Sequence, residues 1–166
     1  MKVVRAILNA ILATVGGSLA GGAAGGVTFA LALHLPDPSN AISIPAAAGG
    51  IAIYVMGVFF MAYLGLAGGL IFGFIPTLIV GTTLSILRDL TPFRSLLVWA
   101  MVGLLAGIIV HNWLGSGTGP SRSPRQELAW TLAWAAGGAV SMTIYWLAAV
   151  GGRQKQGEVT PSAPVR

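Results

Sequence analysis

Residues 41–87 read AISIPAAAGGIAIYVMGVFFMAYLGLAGGLIFGFIPTLIVGTTLSIL, a run of 47 residues without one Asp, Glu, Lys, Arg or His. As a single helix this run would reach about 70 Å, roughly twice the ~30 Å hydrocarbon core of a bilayer. It must bend, break or cross twice. Two places favour an interruption. One is Gly65-Leu-Ala-Gly-Gly69. The other is Pro76, which supplies no backbone N–H and crowds the preceding turn.

Working outward, the rest of the chain has the same character. Of 166 residues 55% are hydrophobic and only 8% charged, and the mean hydropathy is +0.85. These values lie outside the range of soluble globular domains. The thirteen charges punctuate the sequence at Lys2, Arg5, Asp37, Arg88, Asp89, Arg94, Arg122, Arg125, Glu127, Arg153, Lys155, Glu158 and Arg166. Between them lie apolar stretches expected to span lipid at about 7–33, 44–87, 95–113 and 127–150. The expected fold class is therefore all-α, a polytopic transmembrane helical bundle of about four spans with a broken, overlong second element. Residues 1–150 form the single membrane domain, and 151–166 a polar, disordered tail.

Topology follows from the bases. With four spans and both termini inside, Lys2, Arg5, Arg88, Arg94, Arg153, Lys155 and Arg166 are inside and only Arg122 and Arg125 outside. With five spans, four bases are inside and five outside. The positive-inside tendency selects four. Lys2 and Arg5 before an apolar run with small residues near Ala20 also match a secretory signal peptide. The apolar stretch continues well past any small-residue site, so the first span is expected to be retained.

The densest motif is Gly17-x-x-x-Gly21-x-x-x-Gly25, with Gly22 and Gly26 offset by one residue. Four-residue spacing puts glycines on one helical face and lets another backbone approach closely, a glycine-zipper pattern. Gly65, Gly69 and Gly73 repeat it; Gly103 and Gly107, and Gly137 with Ser141, continue it. Such faces either pack the bundle against itself or receive a neighbouring subunit.

Polar groups are few. His34, Asp37, His111 and Glu127 all fall near the same expected outer surface and are the candidates for a polar site there. Two histidines without a cysteine do not complete a metal or haem ligand set, and a Glu at a helix start is favoured by the helix dipole. Arg88, Asp89 and Arg94 make a charged inner turn suited to anionic lipid or a plain anchor. The central parts of the spans carry no Asp, Glu, Lys or Arg, the groups that proton relays and charge-selective pores use. Thr14, Ser18, Thr28, Thr77, Thr82, Thr83, Ser85, Ser141 and Thr143 remain as hydrogen-bonding groups. No phosphate-binding loop, hydrolase serine motif or zinc-protease motif occurs, and no basic, aromatic-interleaved stretch suits nucleic acid.

The segment from Gly137-Gly138 through Tyr145-Trp146 to Gly151-Gly152-Arg153, and the proline-containing element ending at Leu87-Arg88 ahead of a Gly-x-x-x-Gly helix, resemble small bacterial inner-membrane proteins over roughly the last hundred residues. The resemblance implies four spans and a bacterial plasma membrane, and brings no activity with it. The expectation is thus a protein without catalytic, cofactor-binding or metal-binding residues. Its partners would be the bilayer and other membrane subunits or itself, as an accessory, scaffold or assembly subunit. The alternatives are a small transporter or channel for an uncharged or lipophilic solute, and a lipid-acting enzyme built on the outer polar residues.

Overall fold

The computed structural model describes residues 2–34, 48–87, 95–115 and 123–151. Residues 1, 35–47, 88–94, 116–122 and 152–166 lie outside them, and with these the expectations for Asp37, for Arg88, Asp89 and Arg94, and for a disordered segment at 151–166 beyond its first residue. Among the described residues the chain is all-helical: α1 (Lys2–His34), α2 (Ala48–Gly68), a π-helical turn (Gly69–Gly73), α3 (Phe74–Leu87), α4 (Leu96–Gly115), α5 (Pro124–Tyr145) and a closing π-helical stretch (Trp146–Gly151).

The long uncharged run is one element interrupted by the π turn, at the place where the glycines and Pro76 weaken it. Pro76 offers no N–H to the carbonyl of Phe72, and its ring crowds that oxygen. Widening the helix across Gly69–Gly73 relieves the clash and lets the helix continue instead of ending. Three helical stretches are long and apolar enough to cross a membrane: Ala6–Leu33, Tyr54–Leu87 and Leu96–Leu114. In the second of these no residue of the most apolar window is buried. Met56, Phe59, Phe60, Tyr63, Ile71, Ile75 and Ile79 all face outward, a surface that water would not tolerate and that lipid would.

The fourth helix, α5, is polar where it starts and small-residue-rich where it packs. Ser123 caps it: the Gln126 N–H donates to Ser123 Oγ (3.3 Å), the Ser123 N–H donates to Gln126 Oε1 (3.1 Å), and Pro124 occupies the first turn. This reciprocal box and the proline explain why the helix begins three residues before Glu127. α5 lies between α1 and α4 and buries Ala129, Ala133, Ala135, Ser141, Met142 and Tyr145. A helix enclosed by protein needs no bulky lipid-facing coat, which accounts for its lower hydropathy.

Packing is set by glycines on α1. Gly17, Gly21 and Gly25 face α5, where a Cβ on Gly17 would come within 2.7 Å of the Ser141 carbonyl oxygen and one on Gly25 within 2.9 Å of that of Ala133. Gly22 and Gly26, displaced by one position, face α2 instead, against Gly65, Gly69 and the Met61 carbonyl. On α4, Gly103 meets the Gly138 backbone and Gly107 that of Trp134. Gly73 is the exception, with only Ser18 Cβ at 4.0 Å. A hydrogen bond from Ser141 Oγ to the Gly17 carbonyl (2.9 Å) ties α1 to α5 at their crossing. Where α3, α4 and α5 converge, Trp99 stacks on Tyr145 with centroids 6.0 Å apart, beside Leu84, Met142 and Ala13. Gly81 leaves the space that the Tyr145 ring occupies.

Replacing Gly21 or Gly22 by Ala puts a methyl against backbone that cannot move aside. Each change should lower resistance to detergent-induced unfolding by about 1–3 kcal/mol. Gly57→Ala, with nothing within 4 Å of the added carbon, should stay within about 0.5 kcal/mol of the parent. Unfolding in mixed micelles followed by circular dichroism measures all three, and equal effects would contradict this packing scheme.

Candidate ligand-binding cavity

The glycine contacts arrange the helices in the order α2, α1, α5, α4, with broad contact between neighbours, whereas α2 and α4 scarcely meet. Because α3 touches α1, α4 and α5, the ring is closed at that end and splayed at the other. The splay leaves a cavity of about 590 Å³, within the range of small-molecule sites. Its floor is glycine backbone from α1, the π turn, α4 and α5, and its walls include Phe29, Met61, Phe72, Trp130 and Trp134. At the closed end Val80 and Met142 belong both to the lining and to the cluster around Trp99 and Tyr145. At the other end stand His111, Leu114 and the Phe29–Trp130 pair, whose ring centroids are 4.4 Å apart.

The polar groups of the lining are sparse and differ in how they are satisfied. Ser141 is bonded to Gly17, as above. His111 on α4 is 3% exposed, and its Nε2 lies 2.9 Å from Oε1 of Glu127 on α5, itself about half exposed. With a neutral imidazole the ring N–H donates to the carboxylate; with a protonated one the contact is an ion pair. Ser123 and Gln126 form the capping box of α5, and Glu127 stands in its first turn, where the helix dipole favours a carboxylate. From the first turn of α5 it reaches across to satisfy the buried ring of α4.

Ser18 is different. It is fully buried, and its Oγ has no hydrogen-bond partner. Thr14, one turn earlier, is equally buried but bonds back to the Ala10 carbonyl at 2.8 Å. Thr77 is also buried and lines the cavity one turn beyond Gly73. Apart from Ser18 Oγ, the other buried side-chain polar atom without a partner among the described residues is Trp146 Nε1, which lies outside the lining.

Of the four outer polar candidates, the structure brings together His111 and Glu127. His34 ends α1, and Asp37 lies outside the described residues. Among the described residues no three His, Cys, Asp or Glu side chains are grouped to hold a metal ion. All eleven glycines singled out by spacing lie on these helices, and all but Gly73 make close backbone approaches. What spacing did not reveal is the cavity itself and the unpartnered Ser18 hydroxyl in its lining. Ser18 sits between Gly17 and Gly21 on a helix whose two glycine faces point to different partners, and that placement was the available signal. Comparison with protein families, curated proteins and solved structures finds no match to this chain. The functional reading therefore rests on the geometry.

Removing the Glu127 carboxylate leaves the buried His111 ring without this partner. Glu127→Ala should cost about 1–2 kcal/mol of stability, and Glu127→Gln, which keeps an acceptor, clearly less. Parallel unfolding of the two variants in the same micelles checks this; equal losses would show that the contact with His111 carries no weight.

Proposed function

We propose that the chain is a membrane-embedded binding protein or carrier for an uncharged, lipophilic solute, which enters laterally between α2 and α4. The observation that carries this reading is the 590 Å³ cavity, whose lining contains no Asp, Glu, Lys or Arg. A charged guest would find no counter-charge in it, whereas an apolar one exchanges lipid for aromatic and aliphatic walls at little cost. The site spans the middle of the apolar helices, and one of the elements forming it is interrupted there. Carriers commonly bind at discontinuous helices in this position.

In this reading the chain crosses a bacterial plasma membrane four times with both termini cytoplasmic. α5 counts as the fourth span because it packs lengthwise between α1 and α4. The role of accessory, scaffold or assembly subunit has less support. It drew on glycine faces free to receive a neighbour, and Gly17, Gly21, Gly25, Gly65 and Gly69 find their partners within the chain.

The experiment is purification in native nanodiscs followed by mass spectrometry of both proteins and extracted small molecules. A lipophilic compound in near-stoichiometric amount is expected with the wild type. It should be depleted at least tenfold by Ala106→Trp, which fills the cavity from α4. A stoichiometric membrane complex with no such compound would return the weight to the accessory role.

A further inference from the structure

The orphaned hydroxyl of Ser18 narrows the chemistry of the guest. A buried polar group without a hydrogen bond costs free energy and is rarely kept in a folded protein. In a helix a serine ordinarily escapes that cost by bonding back to the carbonyl four residues earlier. Thr14, Thr28, Thr83 and Thr143 all do so, each at 2.8–2.9 Å. Ser18 does not, although it lies on the same kind of helix one turn from Thr14.

Its surroundings are specific. The α1–α2 register runs from Gly26 against Met61, through Gly22 against Gly65, to Ser18 against Gly69 and Gly73. Ser18 therefore faces the π turn, about halfway along both apolar elements. Gly73 offers no side chain there, and a Cβ added to it would first meet Ser18 Cβ, at 4.0 Å. The same π turn precedes Pro76, which has no backbone N–H to give to the turn before it. Thr77 stands one turn further along the cavity. The Ser18 hydroxyl, able to donate and accept, and the Thr77 hydroxyl are thus the polar side-chain groups that α1 and α3 bring to a mostly apolar lining.

We propose that Ser18, facing the π turn at Gly69–Gly73, is the polar recognition point of the cavity, and that the guest is a neutral amphiphile carrying a hydroxyl or carbonyl group on an apolar body. This rests on the lipophilic-solute reading and adds to it which end of the guest is recognised and by what. The Ser18 hydroxyl is buried, with Gly69 and Gly73 of the π turn across from Ser18, so the guest's polar group reaches it by a turn of the Ser18 side chain. The hydrogen bond it makes replaces no earlier one. For the same reason Ser18→Ala removes an unsatisfied group and should leave the empty protein at least as resistant to heat as the wild type.

The test uses the full chain in nanodiscs and two photoreactive probes of equal length, a twelve-carbon fatty alcohol bearing a diazirine and the matching hydrocarbon. The alcohol is expected to label cavity peptides containing Met61 and Met142, in competition with unlabelled 1-dodecanol. It should do so about tenfold more than the hydrocarbon, a difference of about 1.4 kcal/mol. Ser18→Ala should abolish that preference without lowering the thermal midpoint, and Thr77→Val, of nearly unchanged shape, should reduce it. If the two probes label the wild type equally, or if Ser18→Ala keeps the preference, the role of Ser18 is overturned while the cavity reading stands. If neither probe gives competed labelling of the cavity, both fall.

Discussion

The whole arrangement depends on the backbone of α1 being bare on two sides. In lipid there is no hydrophobic drive between helices, so they associate through close packing and hydrogen bonds. Gly17, Gly21 and Gly25 admit α5, and Gly22 and Gly26 admit α2. α1 is thereby clamped between two helices that do not need each other. α4 is held by α5 through Gly103 and Gly107, which places it on the far side from α2. The splay between α2 and α4, and hence the cavity, follows from which helix each glycine face chooses.

The same choice determines what the cavity is made of. Glycine contacts bring backbones together and leave a floor without side chains, so volume remains where larger residues would have filled it. The aromatic and thioether side chains of Phe72, Met61 and Trp130 supply walls. The polar groups are reduced to a few fixed points. Ser141 is spent on the α1–α5 crossing and His111 is engaged by Glu127. Ser18 alone among the buried side chains lining the cavity has an orphaned polar atom.

Much of the fold was legible in the sequence because the charges and prolines stand at the helix ends. The expected spans 7–33, 95–113 and 127–150 differ by a few residues from α1, α4 and α5 with its π-helical extension. α5 starts earlier than Glu127 because Ser123 and Gln126 form the cap, a pairing whose polar residues do not stand out in a loop already rich in them. The interruption of the long element was legible from Gly65–Gly69 and Pro76, but its form as a π turn depends on how one carbonyl relaxes around a proline ring. That Gly22 and Gly26 serve a different helix from Gly21 and Gly25 could not be read from spacing, since it requires knowing where α2 and α5 lie around α1. The His111–Glu127 contact likewise needs the antiparallel register of α4 and α5, seen in Gly103 against Gly138 and Gly107 against Trp134. Ser18 was legible only as a residue able to bond between helices. Its lack of a partner is a property of the packed structure.

A lipophilic guest requires that the space between α2 and α4 open to lipid rather than to water. The absence of native cysteine allows a nitroxide label at Ala106 alone, on the cavity wall of α4. Power-saturation electron paramagnetic resonance in bilayers then compares its collisions with oxygen, which dissolves in the hydrocarbon, and with a water-soluble nickel chelate. Strong relaxation by oxygen and almost none by nickel is expected of a lateral opening to lipid. Relaxation by nickel would mean an aqueous pore, and relaxation by neither would mean closed packing with no lateral opening; either result contradicts it.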